Sequence, residues 1–171
     1  MKEMTKLGKI LNSSPYQFYV DSIAQWEKKR MFCRHDRSHF LDTARVAYIL
    51  FLEKAVACPE LDSFGQDEIR EMIYTVGFLH DIGRYLEYED PAKDHAQESA
   101  RLAEPLLRDA GFPDDACHLI LKAISNHRKK NNQGFDLLIY RADKEGRPCS
   151  HCDALPQCKK FAAGEIPLVK Y

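Results

Sequence analysis

The sequence predicts an all-α protein, and three observations lead there. Apolar residues recur at spacings of three and four through most of the chain, no segment alternates convincingly with period two, and capping residues and Gly or Pro stops separate the periodic stretches. At 171 residues the chain is most simply one structural unit, long enough to bury a real core. A hydrophobic content of 44% with 30% charged residues fits a soluble globular protein. The net charge of -1 provides no basic field for nucleic acid and no bias toward anionic membranes. No apolar run approaches the roughly 20 residues of a membrane span, and the N-terminus lacks the apolar segment of a signal peptide. The expected compartment is therefore the reducing cytoplasm. There, six cysteines read more readily as thiols or metal ligands than as a disulfide framework.

The elements follow in order. Residues 1–13 carry little periodicity and read as a lead-in. Ser13 or Ser14 ahead of Pro15 marks a helix start, with Tyr16, Tyr19, Val20, Ile23 and Trp26 as its apolar face and Lys28-Lys29-Arg30 at its end. Residues 1–30 thus form an N-terminal helical part packed on the core. The main domain is assigned to 31–147 and a Cys-containing tail to 148–171. Ser38 is placed to cap a long helix whose inner face runs through His39, Thr43, Val46, Ala47 and Leu50. His35, just before that cap, competes with His39 as a site residue; His39 ranks first because it is in phase with the buried stripe.

After a turn near Asp62–Gly65, Ile69, Met72, Ile73 and Val76 form the stripe of another helix, and His80 continues it. Asp81 follows at once, and Gly83 is a natural helix stop. The stretch from Arg84 to Pro91 reads as a polar, aromatic loop. Asp94 and Gln97 form a capping box for a helix with His95 at its first position and Ser99, Leu102, Ala103 and Leu106 inside. A further helix carries Cys117, Ile120, Leu121 and Ile124 inward, and His127 extends its stripe. The last clear helix, from about Asp136 to Lys144, faces inward with Phe135, Leu138, Ile139 and Ala142, with Asp143 following.

Several helices therefore bring a His or an Asp to an apolar stripe: His39, His80 with Asp81, His95, His127 and Asp143. One such residue is ordinarily a hydrogen-bonded structural group. A buried His-Asp doublet is costlier, because an unpaired buried carboxylate costs on the order of several kcal/mol. A metal ion would satisfy both side chains, and imidazole with carboxylate is metal-ligand chemistry.

The order His39, His80-Asp81, Asp143 resembles the HD-domain superfamily of metal-dependent phosphohydrolases, an all-α fold. The stretch from His39 through Ala47 is similar to the family's first-His helix. Phe78-Leu79-His80-Asp81-Ile82-Gly83-Arg84 is similar to its second motif, and Tyr140-Arg141-Ala142-Asp143-Lys144 to the ending that carries the last ligand. The resemblance implies that His39, His80, Asp81 and Asp143 bind a divalent metal (Fe, Mn, Ni, Co, Mg or Zn), and it leaves His35 outside the minimal motif. In the two-metal branch, further histidines lie between the doublet and the last Asp, and the doublet's Asp bridges the ions. His95 and His127 stand in that interval; the alternative is that they face substrate around a single metal.

A bound divalent ion lowers the pKa of its water to near neutrality and polarises a phosphoryl oxygen, so the expected reaction is attack of a metal-activated hydroxide on a phosphate ester or anhydride. His80, Asp81 and Arg84 are the expected catalytic residues, with Arg84 offsetting charge on the phosphoryl oxygens. The run Arg128–Lys130 reads first as a solvated basic helix end. The expected partner is a small phosphorylated substrate such as a nucleotide, with room for a homodimer. Two other readings remain open at this level: a catalytically idle, metal-stabilised module that binds a nucleotide or partner, and a di-iron oxygenase.

The tail adds Cys149, Cys152 and Cys158 in a C-x2-C-x5-C run. A closed tetrahedral zinc site needs a fourth ligand. Cys33 is the first choice, because His39 and Asp143 meeting at one metal would draw the chain near both together; His151 is the alternative. An iron–sulfur cluster also takes four cysteines, and six unliganded thiols is the plain alternative. Cys58 and Cys117 read as small core residues.

Overall fold

The computed structural model describes residues 3–171. Among them are nine α-helices and no strand: α1 (Thr5–Leu11), α2 (Ser14–Trp26), α3 (Arg37–Leu52), α4 (Gln66–Leu79), α5 (Arg84–Glu89), α6 (His95–Ala110), α7 (Asp114–Asn126), α8 (Gly134–Glu145) and α9 (Lys159–Ala162). Helix α4 is central, touching α1, α3, α6, α7 and α8. Its Met72, Ile73, Val76 and Leu79 are buried among Phe40 and Leu50 of α3, Leu107 of α6, Ile120 and Ile124 of α7, and Phe135 and Leu138 of α8. The spacings read from the sequence supply these inward faces, and burying them is what holds short helices together.

Helices α3 and α4 pack most extensively of all pairs, and Gly77 is the reason they can. A Cβ at Gly77 would lie 2.6 Å from Ala44 Cβ and as close to the Ala44 backbone. The first turn of α3 and the last turn of α4 are thereby brought together, which sets His39 beside His80. No helix among the described residues is long and apolar enough to cross a membrane.

Several local expectations are corrected. The lead-in contains α1, which buries Leu7 and Ile10. Asp36, not Ser38, caps α3, its carboxylate accepting from His39 N at 3.0 Å. Trp26 is 53% exposed, so the inner face of α2 is Tyr16, Val20 and Ile23. The segment after the doublet forms the short helix α5. Gly83 has an ordinary φ of -85°; a glycine stands there because a Cβ would collide with the Ser99 and Glu98 backbone, and its N–H donates to Ser99 Oγ at 2.9 Å. Asp94 caps α6 through Ala96 N, but Gln97 reaches across to Ser125 O at 3.0 Å and does not close the box.

Candidate metal centre

Helix ends deliver the site's side chains to one point. His39 lies in the first turn of α3, His95 is the first residue of α6, and Asp143 lies in the last turn of α8. His80 and His127 are the C-caps of α4 and α7. A helix C-terminus leaves carbonyls unsatisfied, and both imidazoles use one: His80 Nδ1 is 2.8 Å from Gly77 O, and His127 Nδ1 is 2.7 Å from Ile124 O. A carbonyl only accepts, so Nδ1 carries the proton and Nε2 presents a bare lone pair to the centre.

The same device recurs with carboxylates. His95 Nδ1 lies 2.6 Å from Glu87 Oε2, and His35 Nδ1 lies 2.6 Å from Glu27 Oε1. Glu27 also accepts from His35 N and from the Tyr88 hydroxyl. Each carboxylate fixes the orientation and tautomer of its ring, an arrangement typical of metal-ligating histidines.

At the middle stands Asp81, buried, with one oxygen turned to each half of the cluster. Oδ2 lies 3.4 Å from His80 Nε2 and 3.8 Å from the Nε2 atoms of His39 and His35. Oδ1 lies 3.1 Å from His95 Nε2, 3.5 Å from His127 Nε2 and 3.3 Å from Arg84 Nη2. Asp143 Oδ1 completes the first half, 3.4 Å from His39 Nε2. Three groupings converge closely enough to hold an ion: His39, His80 and Asp143; His35, His39 and Asp81; and Asp81, His95 and His127.

A cation fits this donor set. His39 and His80 approach Nε2 to Nε2 at 3.3 Å, with the His80 nitrogen unprotonated. Asp81 Oδ1 is fully buried with no hydrogen bond of its own, although the Arg84 guanidinium lies 3.3 Å away, so it keeps lone pairs free for a cation. Burial alone would raise both carboxyls. The charge of Arg84, with His80 and His35, overcomes it at Asp81 and holds that group well below the usual carboxylate range. Arg147, His39 and Lys144 do the same for Asp143. Both side chains stay anionic and available to a metal.

The sequence-level site residues His39, His80, Asp81, Arg84, His95, His127 and Asp143 are thus brought together. His35, ranked below His39 from phase alone, stands in the same cluster. It was hard to find because it lies outside any helix and is aimed by Glu27, a residue from the preceding 3-10 turn (Glu27–Lys29). Arg147 is a further addition: its guanidinium holds Asp143 Oδ1 at 2.6 Å and Asp143 O at 2.9 Å.

Above the cluster opens a cavity of about 470 Å³ with His35, His95, His127 and Asp143 in its lining. Its wall carries Arg30, Arg84 and Arg128 on one side, Lys144 and Arg147 at the end of α8, and Lys159 and Lys160 from the tail, against one further acid, Glu87. Phe32 and Ile166 give it an apolar patch.

Comparison with known proteins agrees with this geometry. The HD domain family model matches residues 37–155. A protein of Clostridium beijerinckii described as uncharacterized is 35% identical over 155 residues, which cover 91% of this chain and 92% of that protein. No solved structure matches the chain. With His80 and Asp81 side by side at the centre of an all-α bundle, and a family match over most of its length, the chain belongs to the HD-domain superfamily of metal-dependent phosphohydrolases.

Proposed function

We propose that the protein is a hydrolase of small phosphorylated molecules, nucleotides first among them, with its metal held by His39, His80, Asp81 and Asp143. One observation carries the reading: a buried nest of bare Nε2 atoms and two carboxylates lies at the floor of a cavity whose wall is predominantly cationic. When bound, a divalent ion supplies Lewis acidity and an activated water to such a site. His95 and His127, facing the other oxygen of Asp81, are the residues that would hold a second ion; His35 would complete the coordination on the His39 side.

The chain's own residues do the rest. Cationic side chains on the wall bind and orient the phosphoryl oxygens, where preorganised positive charge stabilises what develops in the transition state. Arg84 is the chief of these. It is largely buried, lies 3.2 Å from His95 Nε2 and 3.3 Å from Asp81 Oδ1, and stays fully charged. Phe32 and Ile166 are placed to take an apolar or nucleobase portion of the substrate.

The test is a panel of nucleotides and other phosphate esters assayed with Mn²⁺, Co²⁺, Ni²⁺, Fe²⁺ or Mg²⁺, with metal content measured on the protein as purified. Phosphate release should vanish on chelation, return with one of these ions, and be absent in Asp81→Ala, which should also lose bound metal while remaining helical. His127→Ala should lower metal stoichiometry as well as rate if two ions are held. Nucleotide binding without turnover in the metal-loaded protein would mean an idle binding module, and oxygen consumption with iron would mean an oxygenase.

A further inference from the structure

The His–Asp centre uses none of the six cysteines, and all six are free thiols. Two are packed in the core: the Cys58 and Cys117 thiols donate to Val56 O and Phe112 O. The other four come from two distant segments and gather beside the cavity.

Three of them belong to two short turns of the tail. Cys149 opens a 3-10 turn (Cys149–His151), with Cys152 N donating to Cys149 O at 3.2 Å. A second such turn (Leu155–Gln157) ends at Cys158, whose N–H donates to Leu155 O at 3.0 Å. Three residues make one turn of this helix type, so residues three apart eclipse. Cys149 and Cys152, one such turn apart, therefore fall on one side of the tail, and Cys158 closes the second turn six residues on. Cys33, from the segment before α3, meets that side. It lines a cavity of about 480 Å³ together with Cys149 and Cys152, and it lines the neighbouring active-site cavity together with Cys158. Cys149 is buried, within electrostatic reach of the other three thiols. His151, the other candidate for a fourth ligand, is exposed, with Nδ1 engaged by Ser150 Oγ at 2.9 Å.

We propose that Cys33, Cys149, Cys152 and Cys158 form a tetrahedral Zn²⁺ site that clips the C-terminal tail onto the rim of the His–Asp cavity. Four thiols, two of them in a C-x2-C pair, supply the ligand set of an all-cysteine structural zinc site. The tail also needs such a clip. From Pro148 to Tyr171 only Cys149, Ala154 and Ile166 are buried, too little apolar surface to offset the roughly 1–2 kcal/mol per residue that ordering a backbone costs. Metal binding supplies folding free energy where a core cannot. The groups already converging within 4.8 Å among the described residues are His and Asp only, so zinc has to draw the four sulfurs inward.

A tetrathiolate zinc carries net negative charge, and Arg147 stands beside it. Its guanidinium hydrogen-bonds the Asp143 carboxylate and lies within electrostatic reach of the Cys33 side chain. The clip also fixes Gln157, Lys159, Lys160 and Ile166 on the cavity wall.

The experiment measures metal on the full-length protein. A His80→Ala/Asp81→Ala variant, whose His–Asp centre is emptied, should retain about one zinc per chain. In Cys33→Ser and Cys158→Ser that zinc should fall below about a tenth of an equivalent, while the His–Asp metal stays. Wild-type protein reconstituted with Co²⁺ should show the intense thiolate-to-metal charge-transfer band of a sulfur-ligated tetrahedral ion, a readout that needs no variant to fold. Because the first variant destroys the proposed hydrolase centre, retained zinc there separates this site from that reading. Zinc unchanged in Cys33→Ser, a cobalt spectrum without the thiolate band, or iron with acid-labile sulfide in place of zinc would each overturn the proposal.

Discussion

Among single residues, His35 shows most clearly what sequence can and cannot reveal. His80 and Asp81 were legible because they extend an apolar helical stripe, whereas His35 has no stripe to extend. It reaches the centre only through Glu27 and the turn that presents it. Burial pushes the His35 imidazole down from an ordinary 6.5 to about 4, even though Asp81 and Glu27 pull it upward. The folded protein therefore holds this ring neutral. An unfolded chain binds the proton more readily between those two values, so this residue's contribution to stability is full above about pH 6.5 and is lost as the pH falls toward 4. The whole shift corresponds to roughly 3 kcal/mol, about 2 of it between pH 7 and pH 5. Urea unfolding of the metal-free protein should then show the stability gap between wild type and His35→Gln shrinking by about that amount between those pH values. A gap that stays level would mean the ring is protonated in the fold.

At the scale of elements, the inner faces of α3, α4, α6, α7 and α8 were readable from periodicity, because burial of those faces is what makes them helices. The short elements were not. Helix α1 has no local side-chain cap; Glu71 of α4 accepts from Lys6 N at 2.7 Å and Leu7 N at 3.1 Å, so its capping residue is remote in the chain. The N-terminus of α8 is met in the same way by Glu60, which accepts from Phe135 N at 2.6 Å. No window of neighbouring residues contains such partners. The α3–α4 contact makes a sharper prediction. Gly77→Ala gains about 1 kcal/mol of helix propensity, but its methyl meets Ala44 Cβ, Cα and N within 2.8 Å. Backbone atoms cannot rotate aside, and overpacking costs about 1–3 kcal/mol. The expected result is a net loss of stability with weaker metal binding, since the helix ends carrying His39 and His80 must part. Ala44→Gly should relieve only part of this in the double variant, because the contacts to the Ala44 Cα and N remain. Thermal melts and metal titrations check it, and an unchanged metal affinity in Gly77→Ala would show that the pair is positioned by something other than this crossing.

Across the whole molecule, a net charge of -1 hides a polarised arrangement. Seven Lys and Arg side chains line one cavity, against Glu87 and Asp143 as its acids. The tail, which the helical pattern of the main domain does not include, supplies two of them, Lys159 and Lys160. Both are exposed rim charges, each worth about 0.2–1 kcal/mol to an ion pair. Arg84, by contrast, is mostly enclosed and ion-paired to Asp81 at the reacting end of the site. The two kinds of cation should therefore fail differently. Lys159→Ala/Lys160→Ala should raise KM for a phosphorylated substrate by roughly 3- to 10-fold with kcat nearly unchanged. The effect should shrink as salt rises, because exposed charges are screened over about 8–10 Å at physiological ionic strength. Arg84→Ala should instead lower kcat, with little dependence on salt, since its charge acts where water is excluded. Steady-state kinetics at low and high ionic strength distinguish the two. If the double-lysine variant lost kcat at constant KM, the tail would be reaching the reacting phosphoryl group itself, and its role would be catalytic and not electrostatic capture at the rim.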